Sequence, residues 1–486
     1  MRAIIIFILI CILNLAHANE ISCKNCNIIL ISLTSARPKN MSLYGYHRET
    51  TPNLKKFFNG SFVFKNAYAP ASLTHTDSIS LFFSLSTNNH QAFRRGRILE
   101  SANYLDKFPT LATTLNKNGY ETIAFVSDED YEYNWGIGKT FKTYFDRSMY
   151  PEYGIRFSPQ SYSVGTKQLV PIANKWLDKN KDKKFFLFLQ AYDMHCPYGP
   201  NEEYSHLFQS PHSKNIPFET ECFMNLHPLK PTTQKGKKGY TLQSFFAYRN
   251  QNLKEYFFTQ DDLNYLKSRY DAELRKADFY LGQFLDHITK LGLEKNTLIV
   301  FMADHGDNLG ENNFFMKSSP EGLGNLHSAN LNMPFAIKVP NSKSKKNFQN
   351  QLVQTIDIAP TLLDIVSINA PKEFQGKSFK NNIINDSDIN DYLYGFSLRF
   401  ELEKYGEEAT AYYEHDYLID HNFKYQRSKK FNMKNRELKG EEYFLFDRKN
   451  DPDELKNIIT KQTKDFYEKI IYQKRAKYST RTKSQR

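Results

Sequence analysis

Residues 297–307 read TLIVFMADHGD, an apolar run that ends abruptly in charged and small residues. An uninterrupted run of this length is typical of a strand buried on both faces of a sheet. Asp304, His305 and Gly306 follow it directly. This strand end is a candidate site, because a carboxylate and an imidazole are good metal ligands and glycine permits a tight turn. The alternative is a polar surface turn without a function.

Three further apolar runs have the same character, at residues 27–33, 122–126 and 185–189. Segments with apolar residues at helical spacing lie between them, at 108–117 and 263–291. Strands that alternate with helices predict an α/β fold with a mostly parallel central sheet. Such sheets bind ligands beyond the carboxyl ends of their strands, so chemistry is expected where these runs end.

Two more histidines follow apolar segments. His195 comes shortly after the run at 185–189, and His327 lies in the loop beyond Asp304. A single histidine is more often structural than catalytic. Three histidines at strand ends of one sheet favour a functional site.

The length of the chain and the pattern of its residues predict its domain organisation. Its 486 residues suggest about two to four structural units, or one large α/β domain with an appendage. We expect an α/β catalytic domain over residues 19–380, with an excursion at 200–260 near the mouth of the site. Shorter aromatic alternations over 381–468 predict a smaller antiparallel sheet region. A basic tail is expected over 469–486.

The formal charge of +12 is concentrated at the C-terminus. Residues 421–486 hold 19 Lys+Arg and 9 Asp+Glu, a local net of +10, which leaves +2 for the rest of the chain. This distribution excludes a nucleic-acid-binding domain as the explanation of the composition. The last 18 residues carry seven basic groups and no acidic one. That tail is either merely solvated or in contact with an anionic envelope polymer or lipid surface.

The N-terminus has the pattern of an export signal over residues 1–18. Arg2 precedes an apolar run from Ala3 to Leu15, and Ala-His-Ala at 16–18 fits a cleavage site. The run is short for a membrane span, and the alternative is an uncleaved anchor. We therefore expect an exported protein, periplasmic or extracellular.

Five cysteines are present, and Cys11 leaves with the signal. Cys23, Cys26, Cys196 and Cys222 remain, an even number in a compartment that permits disulfides. The Cys23-x-x-Cys26 pair is interpreted as a structural disulfide or two spare thiols rather than as a redox or zinc motif.

Many short segments of the chain share a pattern with one known family. They are 27–33 with Arg37, LYGY at 43–46, TPNL at 51–54, FKNAY at 64–68, GYET at 119–122, 296–307, IDIAPTLLD at 356–364, FQGKS at 374–378, and 443–447 with NDP at 450–452. In these segments, from about Asn27 to Asn457, in order and at sensible spacing, the chain resembles the sulfatase family of the alkaline phosphatase superfamily. The resemblance implies an alkaline-phosphatase-like central sheet, mostly parallel and flanked by helices, with a smaller C-terminal antiparallel sheet.

The nucleophile of that family is a formylglycine made from Cys or Ser in a Cys/Ser-x-Pro-x-Arg motif. Alignment of SLF at 80–82 with the segment after this motif puts Thr74 at the nucleophile position, and the motif proline and arginine correspond to Thr76 and Ser78. Threonine cannot become formylglycine, so none is expected. A threonine nucleophile resembles the phosphoryl-transferring branches of the superfamily. The local alternative is a helix N-cap at Thr74 or Thr76.

The resemblance implies one or more divalent metals, of which calcium, zinc and manganese are the candidates. Asp304 and His305 are the expected ligands. The family has an acidic ligand directly after the first strand, where this chain has Thr34-Ser35. Thr34 is therefore a weak candidate ligand, because a neutral hydroxyl binds a hard cation less well than a carboxylate does. Asp77 is a second weak candidate, as a replacement carboxylate.

Two hypotheses follow from these residues. The first is a metal-dependent hydrolase or transferase for a small-molecule, glycan-linked or lipid-linked sulfate or phosphate ester. In it, Thr74 is the nucleophile, and His195 and His327 bind the anion or protonate the leaving group. The second is a catalytically inactive relative that binds anionic glycans or a protein partner. The retained Asp304 and histidines favour the enzyme, and Thr34 and Ser78 favour the binder.

Overall fold

A computed structural model describes most of the chain. The ranges are 21–93, 107–153, 164–199, 202–211, 222–225, 229–246, 254–316, 326–342, 344, 348–401 and 409–483. The expected signal segment, residues 1–18, lies outside them.

The strands are β1 Asn27–Leu33, β2 Phe62–Tyr68, β3 Glu121–Val126, β4 Thr143–Phe145, β5 Phe185–Ala191, β6 Phe223–Asn225, β7 Lys230–Gln234, β8 Lys237–Phe246, β9 Lys254–Phe258, β10 Thr297–Met302, β11 Asn308–Leu309, β12 Phe315–Met316, β13 Phe335–Lys338, β14 Gln349–Gln354, β15 Leu393–Glu401, β16 Ala411–Ile419, β17 Phe423–Asn432 and β18 Leu438–Asp447.

Helices separate most strands of the first three hundred residues. They are α1 Pro52–Phe57, α2 Thr74–Phe83, α3 Thr87–His90, α4 Leu111–Lys117, α5 Thr166–Asn180, α6 Glu202–Ser205, α7 Gln260–Lys290, α8 Ser328–Leu331, α9 Ile358–Ile365, α10 Lys380–Ile383 and α11 Lys461–Lys483. The helices expected at 108–117 and 263–291 are confirmed as α4 and α7.

The central sheet has eight strands in the order β14-β2-β13-β10-β1-β5-β3-β4. All neighbouring pairs are parallel except those of β13, which runs antiparallel to both β10 and β2. The expected mostly parallel central sheet is therefore confirmed. Its four apolar runs became β1, β3, β5 and β10, and every residue of β1, β5 and β10 is buried.

Strand β1 lies at the centre of this sheet, between β10 and β5. Ser32 is paired with Met302 on one side and with Gln190 on the other. All three strands run in the same direction, so their carboxyl ends meet at one edge. The residues that follow them, Thr34, Asp304 and Tyr192, therefore start from neighbouring positions.

Helix α2 packs under this edge and is buried along its whole length. Its N-cap is Leu73, with no side-chain capping bond, so the alternative of an N-cap at Thr74 or Thr76 is wrong. The Thr76 hydroxyl instead donates to Ala92 O over 2.6 Å, and Ser80 Oγ lies 2.9 Å from the Nε2 of His90. These contacts fix the helix that begins at Thr74.

The C-terminal region is a four-stranded antiparallel sheet in the order β15-β16-β17-β18, as expected. The excursion at 200–260 contributes a second small antiparallel sheet, β6 to β9. Leu229 N donates to Asn313 O, which attaches this sheet to the chain just beyond β11. The excursion thus borders the segment that follows Asp304.

The expected basic tail is wrong for residues 469–478, because they belong to α11 and pack on the C-terminal sheet. Ile471 is fully buried and Tyr478 nearly so. Arg475 pairs with Glu414 and Asp416. Positive residues in this helix therefore neutralise acidic partners on the sheet instead of extending into solvent.

Cys23 is bonded to Cys26, and Cys196 to Cys222. The first pair is thus the structural disulfide of the two alternatives. In the part of the chain that the structure describes, no helix combines the length and apolar character needed to cross a membrane.

Replacing Ile471 by Ala is expected to lower the free energy of unfolding by about 2–5 kcal/mol, since a fully buried side chain is lost from the α11 interface. Urea denaturation measures the change. Lys469→Ala, an exposed position two residues earlier in the same helix, is the control and is expected to leave stability nearly unchanged. Equal stability of the two variants would contradict the docking of α11.

Candidate active site

One buried amide joins three strand ends at the candidate site. Gln190, in β5, accepts from the backbone N–H groups of Ser127 and Asp128 through Oε1 and donates to Thr34 Oγ1 through Nε2. The two backbone donors fix which end of the amide is oxygen. The Thr34 hydroxyl is therefore held by a hydrogen-bond donor.

Asp304 lies across β1 from Gln190 and is also bound by backbone amides. Its Oδ1 accepts from Ser35 N and from His305 N, each over 2.9 Å. Ser35 has a φ of 59°, in the left-handed region, and this turns its amide toward the carboxylate. Gly306 allows a close approach, because a Cβ there would lie 2.1 Å from Ala329 O.

The structure brings Thr74, the expected nucleophile, into contact with His305, which the sequence analysis placed among the metal ligands. Thr74 Oγ1 lies 3.3 Å from His305 Nε2, and His305 Nδ1 lies 2.7 Å from the carbonyl oxygen of Gly306. A carbonyl oxygen can only accept, so Nδ1 carries the ring proton and Nε2 presents its lone pair to the threonine hydroxyl. Asp304 Oδ2 lies 3.7 Å from the same Nε2.

Asp77 faces the site from the first turn of α2. Its two oxygens accept from the backbone amides of Ala71 and Leu73, which precede Thr74. Burial raises the pKa of the Asp77 carboxyl well above its usual range, and the nearby Asp304 carboxylate raises it further.

The residues present do not fit the divalent metal that the family resemblance implies. Among the described residues, the one set of three His, Cys, Asp or Glu side chains with ligand atoms within 4.8 Å of one another is His195, Cys196 and Cys222. Its two sulfurs form a disulfide and are not thiolates. Asp304, His305 and Asp77 do not gather in this way. We therefore derive no chemical step through a metal.

His195 follows β5, the neighbour of β1, at the same edge of the sheet. Its Nδ1 lies 2.8 Å from Cys196 O, so this nitrogen carries a proton and donates it. The ring stacks on Tyr192, and the half-buried side chain is held in place by that contact and by the next peptide group. No hydrogen bond between His195 and Thr74 is present in the described structure.

His327 is not brought to Thr74. It caps α8, where Nδ1 accepts from Ala329 N and Nε2 lies 3.2 Å from Asp453 O. Both ring nitrogens are thus bound to the backbone, and the side chain lines a separate cavity of about 230 Å³. These contacts leave its expected role at the anion or the leaving group without support.

A buried ion pair supports the turn after β10. Arg37 donates to Asp307 O and pairs with Glu311, and Tyr198 Oη donates to Asp307 Oδ2. Burial by itself would raise the pKa of the Glu311 carboxyl, but Arg37 outweighs burial and holds that pKa below its usual range. Arg37 was noted in the sequence only as part of the resemblance.

Gln190 and Arg399 were not identified as site residues from the sequence. Gln190 follows the apolar run at 185–189, but nothing in that run marks the amide, and Arg399 comes from a segment with no motif.

A hydroxyl at a helix start, held against an Asp–His strand end on a sheet of this topology, is the arrangement of an alkaline-phosphatase-like α/β hydrolase. The comparisons with known proteins agree with this class. The chain belongs to the sulfatase family: the family model described as Sulfatase matches residues 26–368. A model described as N-sulphoglucosamine sulphohydrolase, C-terminal, matches residues 324–481.

Relatives and solved structures give the same family and fold. An arylsulfatase of Clostridium perfringens is 25% identical over 493 residues, covering 92% of each chain. An endo-4-O-sulfatase of Bacteroides thetaiotaomicron is 28% identical over 243 residues, which cover 47% of this chain and 45% of the relative. The phosphonate monoester hydrolase of Agrobacterium radiobacter has a TM-score of 0.68 at 17% identity, covering 93% of this chain and 96% of that one. A protein solved in complex with its substrate D-glucosamine-2-N,6-O-disulfate has a TM-score of 0.65 at 17% identity. The match covers 94% of this chain and 99% of that one.

Glu311→Gln is expected to lower the free energy of unfolding by about 3–5 kcal/mol at pH 7, because Arg37 is then a buried charge without its partner. The pKa of Glu311 is depressed in the folded state, so its contribution is present above about pH 4.5 and is lost as the pH falls further. The difference between parent and variant should shrink below that pH. Denaturation at several pH values measures it.

Glu49→Gln is the matched control, since Glu49 pairs with Lys55 at the exposed surface. It is expected to change stability little at any of these pH values. A pH-independent effect of Glu311→Gln would contradict the assigned ion pair.

Proposed function

We propose that this sulfatase-family chain hydrolyses sulfate or phosphate esters with Thr74 as the nucleophile and His305 as its base. The observation that carries the proposal is the 3.3 Å contact between Thr74 Oγ1 and His305 Nε2. The other ring nitrogen, Nδ1, donates to the Gly306 carbonyl oxygen, which leaves the lone pair of Nε2 facing the threonine hydroxyl. A nucleophile within hydrogen-bond reach of a base, itself oriented by a third group, is the general pattern of covalent catalysis.

In the first step, Thr74 Oγ1 attacks the sulfur or phosphorus atom, and the bond from that atom to the leaving oxygen breaks. His305 Nε2 takes the hydroxyl proton, and the nearby Asp304 carboxylate stabilises the imidazolium that forms. A protonated His195 donates a proton to the leaving oxygen. The N-terminus of α2, at Thr74, supplies a favourable field for the anionic group.

In the second step, water attacks the same sulfur or phosphorus atom and the bond to Thr74 Oγ1 breaks. His195 takes a proton from the water, and His305 returns its proton to Thr74. The sum is one ester and one water converted to an alcohol and sulfate or phosphate. Relatives named N-acetylglucosamine-6-O-sulfatase and endo-4-O-sulfatase support a saccharide as the alcohol.

A second candidate function is binding without turnover, to an anionic glycan or a protein partner. The specific observation in its favour is the Thr34–Ser35 pair, which puts a hydroxyl and a backbone amide where the family has a carboxylate. Thr34 is bound by Gln190 and the Ser35 amide by Asp304, so the pair brings no carboxylate to the site and activates a nucleophile less strongly.

Thr74→Val is expected to reduce the hydrolysis of aryl sulfate or aryl phosphate by about 10³-fold or more, because the attacking oxygen is removed at nearly constant shape. Thr74→Ser should retain measurable activity, and His305→Ala should lose as much as Thr74→Val. Initial rates on both esters give these values.

Thr87→Val is the matched control, because the buried Thr87 hydroxyl makes no hydrogen bond to any described residue. It should leave the rates unchanged. Parent-level activity in Thr74→Val would show that the nucleophile lies elsewhere. A parent that binds sulfate but turns over neither ester would instead support the binding function.

We also propose that the chain is exported and cleaved after Ala18. The two disulfides support this, because disulfides persist in oxidising compartments. The exported protein is expected to begin at Asn19, with four cysteines that resist alkylation until they are reduced. Intact-mass analysis with and without reduction measures both. A full-length cytoplasmic chain with alkylated cysteines would contradict the proposal.

A further inference from the structure

The C-terminal sheet contacts the turn that leads into Thr74. Tyr417 Oη, from β16, donates to Ala69 O over 2.6 Å. Strand β15 passes so close that a Cβ on Gly395 would lie 2.4 Å from Pro70 O. Arg399, also in β15, donates through Nη2 to Ser72 O over 3.1 Å and to Ala71 O over 3.4 Å. Consecutive carbonyl groups of residues 69–72 are therefore in contact with this sheet.

The amide groups of the same turn are held from the opposite side. Asp77 accepts from Ala71 N over 3.0 Å and from Leu73 N over 2.9 Å. Ser72, between them, has a φ of 50°, a left-handed conformation that a side chain disfavours. A turn of this kind persists only where its surroundings hold it. Here, Asp77 accepts from N–H groups of the turn, and Arg399 donates to carbonyl oxygens of the same turn.

Arg399 carries the positive charge in this arrangement. Burial lowers its pKa to about 10, partly countered by Asp77, so it remains cationic at neutral pH. A bond from Nη2 to Ser72 Oγ adds to the two carbonyl contacts. Ser78, in the helix itself, is neutral and uses its hydroxyl on His75 O. The guanidinium that faces the turn thus comes from a strand more than three hundred residues later in the chain.

We propose that Arg399 is a positioning residue for Thr74, and that through it the C-terminal sheet is part of the catalytic apparatus. Arg399 holds residues 71 and 72 so that the next turn presents Thr74 Oγ1 to His305. The inference rests on the proposed function of Thr74. It assigns a role in the reaction to a subdomain from which the proposed mechanism draws no other residue.

The test compares Arg399→Ala, Arg399→Lys and Lys430→Ala for hydrolysis of aryl sulfate and aryl phosphate. Lys430 is the control because it is a cationic residue of the same sheet. In that sheet Tyr413 is paired with Arg399 on one side and with Lys430 on the other. Arg399→Ala should lower kcat by about 100-fold with KM nearly unchanged, since the nucleophile is misplaced while substrate contacts remain. Arg399→Lys should recover part of kcat, and added guanidinium ion should partly rescue Arg399→Ala. Lys430→Ala should match the parent.

A second measurement separates this inference from the proposed function. Amide hydrogen exchange in peptides spanning 69–77 should become faster in Arg399→Ala and not in Lys430→Ala. A parent without turnover overturns the proposed function and, with it, the role of Arg399 in a reaction, and the exchange data then decide only whether Arg399 holds the turn. The inference is overturned if amide exchange is unchanged in Arg399→Ala. It is also overturned if this variant keeps the kcat of the parent or changes only KM.

Discussion

The parallel pairing of β1 with β10 on one side and β5 on the other is the constraint on which the site depends. It brings the carboxyl ends of three buried strands to one edge, where Gln190 of β5 meets Thr34 and Asp304, which follow β1 and β10. A shift of one residue in either pairing would turn every following side chain to the other face of the sheet.

Polar groups at this edge are buried, and the protein binds nearly all of them through the backbone. Gln190, Asp304 and Asp77 each accept hydrogen bonds from two backbone amides. These bonds satisfy buried oxygen atoms that would otherwise lack hydrogen-bond donors. The chemistry that remains is that of a hydroxyl and an imidazole whose tautomer is set by a carbonyl oxygen. The site thus retains the framework of its family with a different set of charged groups.

Much of the fold could be predicted, because apolar runs and helical spacing are local properties of the chain. The four runs became strands of one sheet, and the C-terminal aromatic alternations became β15 to β18. The basic tail was misjudged because charge alone does not show that Arg475 has acidic partners on a sheet some sixty residues earlier. The contacts of His327 could not be predicted from the sequence for a similar reason. Its position after a strand end resembled that of His305, but its ring nitrogens are both bound to the backbone.

The sequence by itself determined the sulfatase-type fold, the Asp304–His305 strand end and the threonine that we propose as nucleophile, since each is written in a continuous segment. Only the tertiary structure decided how that threonine is held. Arg399, Gln190 and Asp77 reach the same edge from different elements, and their hydrogen bonds join residues up to 328 positions apart. Such contacts depend on direction and distance between elements, which spacing along one chain does not encode.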